Sequence, residues 1–264
     1  MLTGVARPLE HFVLTNFNVH YEFGRRDQDG RLVDLRGTPV RTPEWLAERF
    51  VLFERFCLPS LVGQTRLAFT WLLRYDPAAT PPAYEQRLRS YEDAFNNLRL
   101  VPETSSFSRA IAGSLGLRRC RLLTTRLDND DALHRTAIAL IQDHTTGDDL
   151  EFLNVPLGYC YSDPNGHIRL VRNESNHVLS LAENYEGELP RTAVCANHNR
   201  AREVAPVRQV GRRPGWLEVV HTRNVRNDLQ GRPCALPDLR EEFNVGVGLD
   251  GSYGGSHDEH RIVS

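Results

Sequence analysis

Three carboxylates lie within four positions at Asp128-Asn129-Asp130-Asp131, directly after the apolar run Cys120–Thr125 and its extension Arg126-Leu127. Like charges this close repel, and burial strengthens the repulsion. A divalent cation offsets that cost directly, because hard cations prefer carboxylate oxygen. Mg²⁺ takes one or two carboxylates and completes its shell with water and substrate phosphate. The chemistry indicated is departure of a nucleoside diphosphate, whose growing negative charge a metal neutralises. The simpler alternative is that Asp130 or Asp131 caps a helix beginning at Ala132. Capping accounts for one aspartate, not three.

His221 is a second candidate. It ends the apolar segment Trp216–Val220 and precedes Thr222-Arg223-Asn224. A neutral imidazole at a strand end can complete a metal site, although a lone histidine is more often structural. Arg208, Arg212, Arg213, Arg223 and Arg226 lie nearby in sequence and have the fork geometry that grips a diphosphate; a solvated basic face is the alternative. An acceptor hydroxyl also needs a base within hydrogen-bond reach. Glu174, Glu183, Glu186 and Glu188 are the candidates, with Glu183 favoured because it follows the short apolar run Val178–Leu181, and His198 is an outsider.

Composition narrows the chemistry. The 264-residue chain contains no lysine, so all 32 of its basic Lys/Arg positions are arginine. Schiff-base and P-loop lysine mechanisms are therefore excluded. Any phosphate site must use arginine, backbone N–H groups or a metal. The formal net charge of -2 offers no field for nucleic acid or an anionic membrane. Five widely spaced cysteines without a Cys-x-x-Cys pair indicate neither a zinc ribbon nor a disulfide framework. The N-terminal residues do not read as a signal peptide, and no apolar run reaches membrane-spanning length. A cytoplasmic protein is expected, with neither nucleic-acid binding nor membrane insertion.

These side chains need elements to position them. His11–Thr15 reads as a first buried strand and residues 24–43 as a polar surface loop. A helix follows, capped by Thr42 with Pro43 in its first turn, its apolar positions running from Trp45 to Cys57. Then come a strand at Leu67–Leu73 ending near Asp76, a helix at Pro82–Phe95, a strand at Leu98–Val101, a helix at Ser105–Leu115 closed by Gly116, the strand Cys120–Thr125, and a helix over Ala132–Gln142. Alternation of this kind predicts an α/β fold with a mainly parallel sheet, whose ligands bind at the carboxyl ends of the strands. The second half predicts strands at Leu150–Tyr161 and His167–Val171 joined by a turn at residues 163–166, then Val178–Leu181, Arg191–Cys195 and Trp216–His221. The Gly-rich tail from Gly246 is expected to be mobile. One domain over residues 1–245 is expected, with a nucleotide-binding half (1–131), an acceptor-binding half (132–245) and the tail 246–264.

Several segments together resemble the rhamnosyltransferase family. They are Leu52-Phe53-Glu54-Arg55-Phe56-Cys57-Leu58-Pro59-Ser60-Leu61 with Gln64-Thr65, the strand Phe69–Leu72 followed by Asp76, the run Thr125–Leu133 around the aspartates, and Trp216–Asn227. They fall in the family's order and span roughly residues 11 to 229. The resemblance implies a GT-A fold, a nucleotide-sugar donor, and a divalent metal, Mn²⁺ or Mg²⁺, held by Asp130 and His221. It places Asp128 at the donor's ribose or sugar, and Thr15 and Asp76 by the nucleoside. Asn16, Arg126, Asn129, Asp131 and Arg223 complete the expected donor site. Two features depart from the family's pattern. Asn16 stands where arginine is expected, and the loop at 24–43 has no counterpart. The resemblance does not identify the sugar. The expected reaction is transfer of a sugar, rhamnose by the family's name alone, to a hydroxyl of a small-molecule or glycan acceptor, with inversion; a retaining course, which would not need the base, is the alternative. The rival readings are a sugar-phosphate nucleotidyltransferase, a non-catalytic nucleotide- or carbohydrate-binding module, and a phosphohydrolase.

Overall fold

The structure, a computed structural model, describes residues 7–20, 24–147, 149–163, 165–221 and 229–246. The first half alternates as expected: β1 (Leu9–Asn18), α1 (Pro43–Leu52), α2 (Leu58–Val62), β2 (Thr70–Tyr75), α3 (Pro82–Ala94), β3 (Leu98–Pro102), α4 (Phe107–Leu115) and β4 (Cys120–Arg126). Thr42 caps α1 by accepting a hydrogen bond from the Trp45 N–H. Between α1 and α2 the chain winds into one π-helical turn, Phe53–Cys57. Gly116 ends α4 with a positive φ of 58°.

Beyond β4 the elements are β5 (Ala132–Leu133), α5 (Ala137–Asp143), β6 (Glu151–Asn154), β7 (Leu157–Ser162), β8 (His167–Arg172), β9 (Ser180–Tyr185), a 3-10 turn at His198–Glu203, β10 (Val207–Gln209), β11 (Trp216–Val220), β12 (Arg232–Pro233) and α6 (Leu239–Phe243). They complete two sheets. The larger has the order β10-β6-β9-β4-β1-β2-β3, and the smaller β12-β8-β7-β11-β5. The strands β3, β2, β1 and β4 are parallel; β9 is antiparallel to β4 and β6, while β10 and β6 are parallel. The observed class is therefore α/β, with a mainly parallel first half and a mixed second half, as expected.

Alternation along β1 divides the core. Phe12 and Leu14 pack with Phe107, Ile111 and Leu115 of α4. Val13 and Phe17 face the other side, with Phe50, Phe53 and Trp71. The rings of Phe17 and Phe50 are 4.7 Å apart and those of Phe17 and Phe53 5.1 Å, which ties the α1–π turn to the end of β1. A sheet covered on both faces reads as continuous apolar strands, and β1 and β4 do so.

Five expectations need correction. Ala132–Gln142 is not one helix: Ala132 and Leu133 pair antiparallel with Leu217 and Trp216, and α5 begins only at Ala137. Leu150–Tyr161 is not one strand, because Pro156 has no N–H for a ladder; β6 joins the large sheet and β7 the small one. Arg191–Cys195 is not a strand, since Thr192 sits at φ 66°. The strands expected at Leu67–Leu73 and Val178–Leu181 run instead over Thr70–Tyr75 and Ser180–Tyr185. The hairpin across residues 163–166 is present as β7–β8. Arg223 and the tail from Val247 lie outside the described residues. No described helix is long and apolar enough to cross a membrane.

Candidate functional site

The acidic loop leaves the carboxyl end of β4 and is pinned from two sides. Asn129 is buried, and its Nδ2 donates to the carbonyls of Asn16 (2.6 Å) and Phe17 (3.2 Å) on β1. Asp131 is 4% exposed, and its Oδ1 accepts from the Val219 N–H of β11 at 2.9 Å. The loop thus bridges the two sheets. Because Ala132 continues as a strand, neither Asp130 nor Asp131 caps a helix there.

Asp130 lies between these anchors. His221 Nε2 is 2.9 Å from its Oδ2, and the same oxygen accepts from Arg49 Nη1 at 2.5 Å. Arg49 also donates to Asn129 Oδ1 at 3.1 Å, and its guanidinium lies 4.7 Å from the Trp45 ring centroid. Burial alone would raise the Asp130 pKa; the Arg49 charge, followed by His221, more than offsets this and holds the carboxyl well below the usual range. Arg49 was not among the expected site residues. Its only sequence signal is a place in the amphipathic repeat of α1, where an arginine reads as solvent-facing.

Asp131 has a second partner. His177 Nε2 lies 2.9 Å from Asp131 Oδ2, though not aligned as a straight hydrogen bond. Burial opposes charge on both partners and raises the Asp131 carboxyl, while the pairing with Asp131 outweighs burial at His177 and raises the imidazole pKa, so the two groups share the proton. The His177 ring stands edge-on to Trp216, with centroids 5.2 Å apart. Gly158 makes room for that tryptophan: a Cβ at this position would fall 2.1 Å from the indole.

Asp128 is the outermost aspartate and pairs with Arg126 at 3.2 Å. His198 feels the charges of both, as well as that of His177. Burial, then the His177 and Arg126 charges, lower its pKa to about 4, so it is neutral. Its Nδ1 is buried without a hydrogen-bond partner. Cys57 in the π turn lies under the cluster; burial and then the charges of Asp131, Asp130 and Asp128 raise its thiol pKa far above normal. π-Helical turns recur at functional sites.

Other expected residues are placed differently. Thr15 is fully buried and accepts from Trp71 Nε1 at 3.0 Å, so its side chain serves the core. Asn16 reaches the acidic loop through its carbonyl, while its Oδ1 is buried without a partner. Asp76 stands at the end of β2, paired with Arg41 and accepting from the Ala78 N–H. Beyond it a cavity of about 430 Å³ is lined by His20 and by Arg26, Arg31 and Arg41 of the polar loop, among others. Arg208 binds Glu151 and the His144 carbonyl, so it is not part of a phosphate clamp.

Glu183 is not brought to the aspartates. It faces Leu122 in the β4–β9 register, four residues before Arg126, or roughly 13 Å along a strand. Both its oxygens are engaged, accepting from the N–H groups of Arg191 (3.2 Å) and Thr192 (3.1 Å). It holds a left-handed Thr192 in place.

A divalent cation can be tested against this geometry. Among the described residues no group of three or more His, Cys, Asp or Glu side chains is disposed around one point. Asp130 Oδ2 and His221 Nε2 do fit as a pair. Metal–ligand bonds of about 2.1 Å put adjacent octahedral ligands about 3 Å apart, which is the spacing seen. One carboxylate with water and phosphate completing the shell is a usual Mg²⁺ arrangement, to which His221 would add an imidazole nitrogen.

The chain belongs to the family described as "Putative rhamnosyl transferase", whose model matches residues 33–233. That match begins inside the polar loop, so β1 precedes it, and residues 33–43 of the loop, expected to have no counterpart in the family, lie within it. No curated protein matches the sequence. Two solved structures of S. aureus TarS 1-349, one of them in complex with UDP, align with a TM-score of 0.42 at 10% identity. In each the alignment covers 80% of this chain and 60% of that chain.

Proposed function

We propose that this protein transfers a sugar from a nucleoside-diphosphate donor to an acceptor hydroxyl, with divalent metal and inversion at the anomeric carbon. The observation that carries the reading is the convergence of Asp130 and His221 at the carboxyl edge of the sheet, in a chain of the rhamnosyl transferase family. Residues 1–131 form the nucleotide half: the ends of β1 and β2, with Asp76 and the arginine-lined cavity, lie on the nucleoside side. Residues 132–245 form the acceptor half.

Asp130 and His221 would hold the cation, which when bound stabilises the departing diphosphate as a Lewis acid. Arg49 keeps the Asp130 carboxylate ionised and oriented. Asn129 and Asp131 fix the loop so that no reorganisation is needed as charge develops. Asp128, more exposed and tethered by Arg126, would meet donor hydroxyls.

The test is a thermal-shift screen of UDP, GDP, dTDP and CDP, each with and without Mn²⁺ or Mg²⁺. A ligand of the native state raises Tm by mass action. One nucleotide should shift Tm only with metal, and the shift should vanish in Asp130→Ala and His221→Ala. No shift with any nucleotide would overturn the donor site. Release of pyrophosphate from a nucleoside triphosphate and a sugar phosphate would replace transfer with nucleotidyl chemistry.

A further inference from the structure

β11 alternates strictly. Leu217 and Val219 are buried on one face with Ala132, Phe56 and Phe243. Trp216 and Val220 turn to the opposite face and join the main core. Glu218 lies between them on this second face, the side on which His177 stands against Trp216. Its carboxyl is half-buried and feels the charges of His177, Asp128 and Asp130.

The other acids of the site are committed. Asp128 holds Arg126, Asp130 holds Arg49 and His221, and Asp131 holds the Val219 N–H and His177. Glu183 is bound to two backbone amides. Glu218 has no hydrogen-bond or ion-pair partner among the described residues. Burial raises its proton affinity, the His177 charge opposes this, and the charges of Asp128 and Asp130 add to it. A carboxylate that is desolvated, uncommitted and beside the departing-group site meets the requirements of a general base.

We propose that Glu218 is the catalytic base of the acceptor reaction, on the strength of its position on β11 facing the Asp128–Asp130–His177 cluster with both oxygens free of protein partners among the described residues. The proposal rests on the glycosyl-transfer reading. The acceptor O–H bond breaks and its proton passes to a Glu218 carboxylate oxygen. The acceptor oxygen bonds to the anomeric carbon, and the carbon–oxygen bond to the diphosphate breaks, its electron pair leaving with the diphosphate. His177, paired with Asp131, borders this space and would meet the acceptor beside Glu218.

The experiment uses the full chain with a panel of UDP-, dTDP- and GDP-hexoses, Mn²⁺, and water or sodium azide as acceptor. Nucleoside diphosphate release and glycosyl azide formation are both followed. In Glu218→Gln, turnover with water should fall about 10²–10⁴-fold, while the metal-dependent nucleotide shift stays at the wild-type value. Azide attacks without losing a proton, so Glu218→Ala should form glycosyl azide faster than it hydrolyses donor, and the preference should exceed that of wild type. Hydrolysis within threefold of wild type in Glu218→Gln would overturn the assignment. So would loss of the nucleotide shift in both variants, which would place Glu218 in donor binding or in the fold. Failure of the broader reading looks different: wild type itself would neither bind a nucleoside diphosphate nor consume any donor.

Discussion

His221 Nε2 lies 2.9 Å from Asp130 Oδ2, joining residues 91 positions apart at the mouth of the site. Arg49 Nη1 reaches the same oxygen from α1. One carboxylate oxygen is thus shared between an imidazole and a guanidinium, and a metal at the Asp130–His221 pair would compete with Arg49 for it.

That competition is measurable. In Arg49→Met the buried Asp130 carboxylate keeps His221 but loses its guanidinium, and breaking a buried pair of this kind costs about 3 kcal/mol. The urea midpoint without metal should fall accordingly. Mn²⁺ should then raise the Tm of the variant more than that of wild type. Equal Mn²⁺ shifts in the two proteins would show that Arg49 and the metal do not share that oxygen.

Glu183 should prove structural. Its two oxygens hold the backbone of Arg191 and Thr192, and hydrogen bonds to a charged acceptor are each worth about 1.5–3 kcal/mol. Glu183→Ala should lower stability by roughly 2–4 kcal/mol and leave turnover per folded molecule near wild type. A hundredfold loss of kcat with unchanged stability would return Glu183 to the catalytic role expected from its sequence position.

His11 makes stability depend on pH. It is buried, with Nε2 2.8 Å from Thr125 Oγ1, and Nδ1 accepts from Gln142 Nε2 at 3.1 Å. Burial lowers its folded pKa to about 3, from an ordinary 6.5. The unfolded chain therefore takes up the proton first as pH falls. Stability from this group is complete above pH 6.5 and is lost below it at up to about 1.4 kcal/mol per pH unit, towards the folded pKa. His11→Gln should flatten the dependence of unfolding free energy on pH between 6.5 and about 4 relative to wild type. Parallel curves would place a charged His11 in the fold.

Gly158 should not tolerate a side chain. The Cβ of Gly158→Ala would meet the Trp216 indole at 2.1 Å, and overpacking of this kind costs about 1–3 kcal/mol. Because Trp216 supports His177, turnover should fall along with stability. Wild-type Tm and turnover in this variant would show that the indole can shift without affecting the site.

Much of the architecture is written locally. The Thr42 cap, the repeat of apolar positions through α1, the Gly116 stop and the uninterrupted apolar strands β1 and β4 depend on neighbours in sequence, so period and capping chemistry reveal them. The acidic loop was visible for the same reason: three aspartates after a buried strand are costly wherever the chain goes. Family membership, too, was legible in the order of its segments.

Partnership between distant residues was not. Ala132 and Leu133 form a strand rather than a helical turn because β11 offers them a ladder and a Val219 N–H for Asp131. Arg49, His177 and Glu218 carry no local mark of function, and Glu183 carries a misleading one. Whether a carboxylate is free or bound depends on which amides and cations the folded chain brings to it. The sequence by itself determined an α/β chain with a buried acidic turn and no lysine chemistry. Only the tertiary structure decided which acids are bound by distant protein partners and which is not among the described residues, because hydrogen bonds across 80 or more positions in sequence exist only after the two sheets have met.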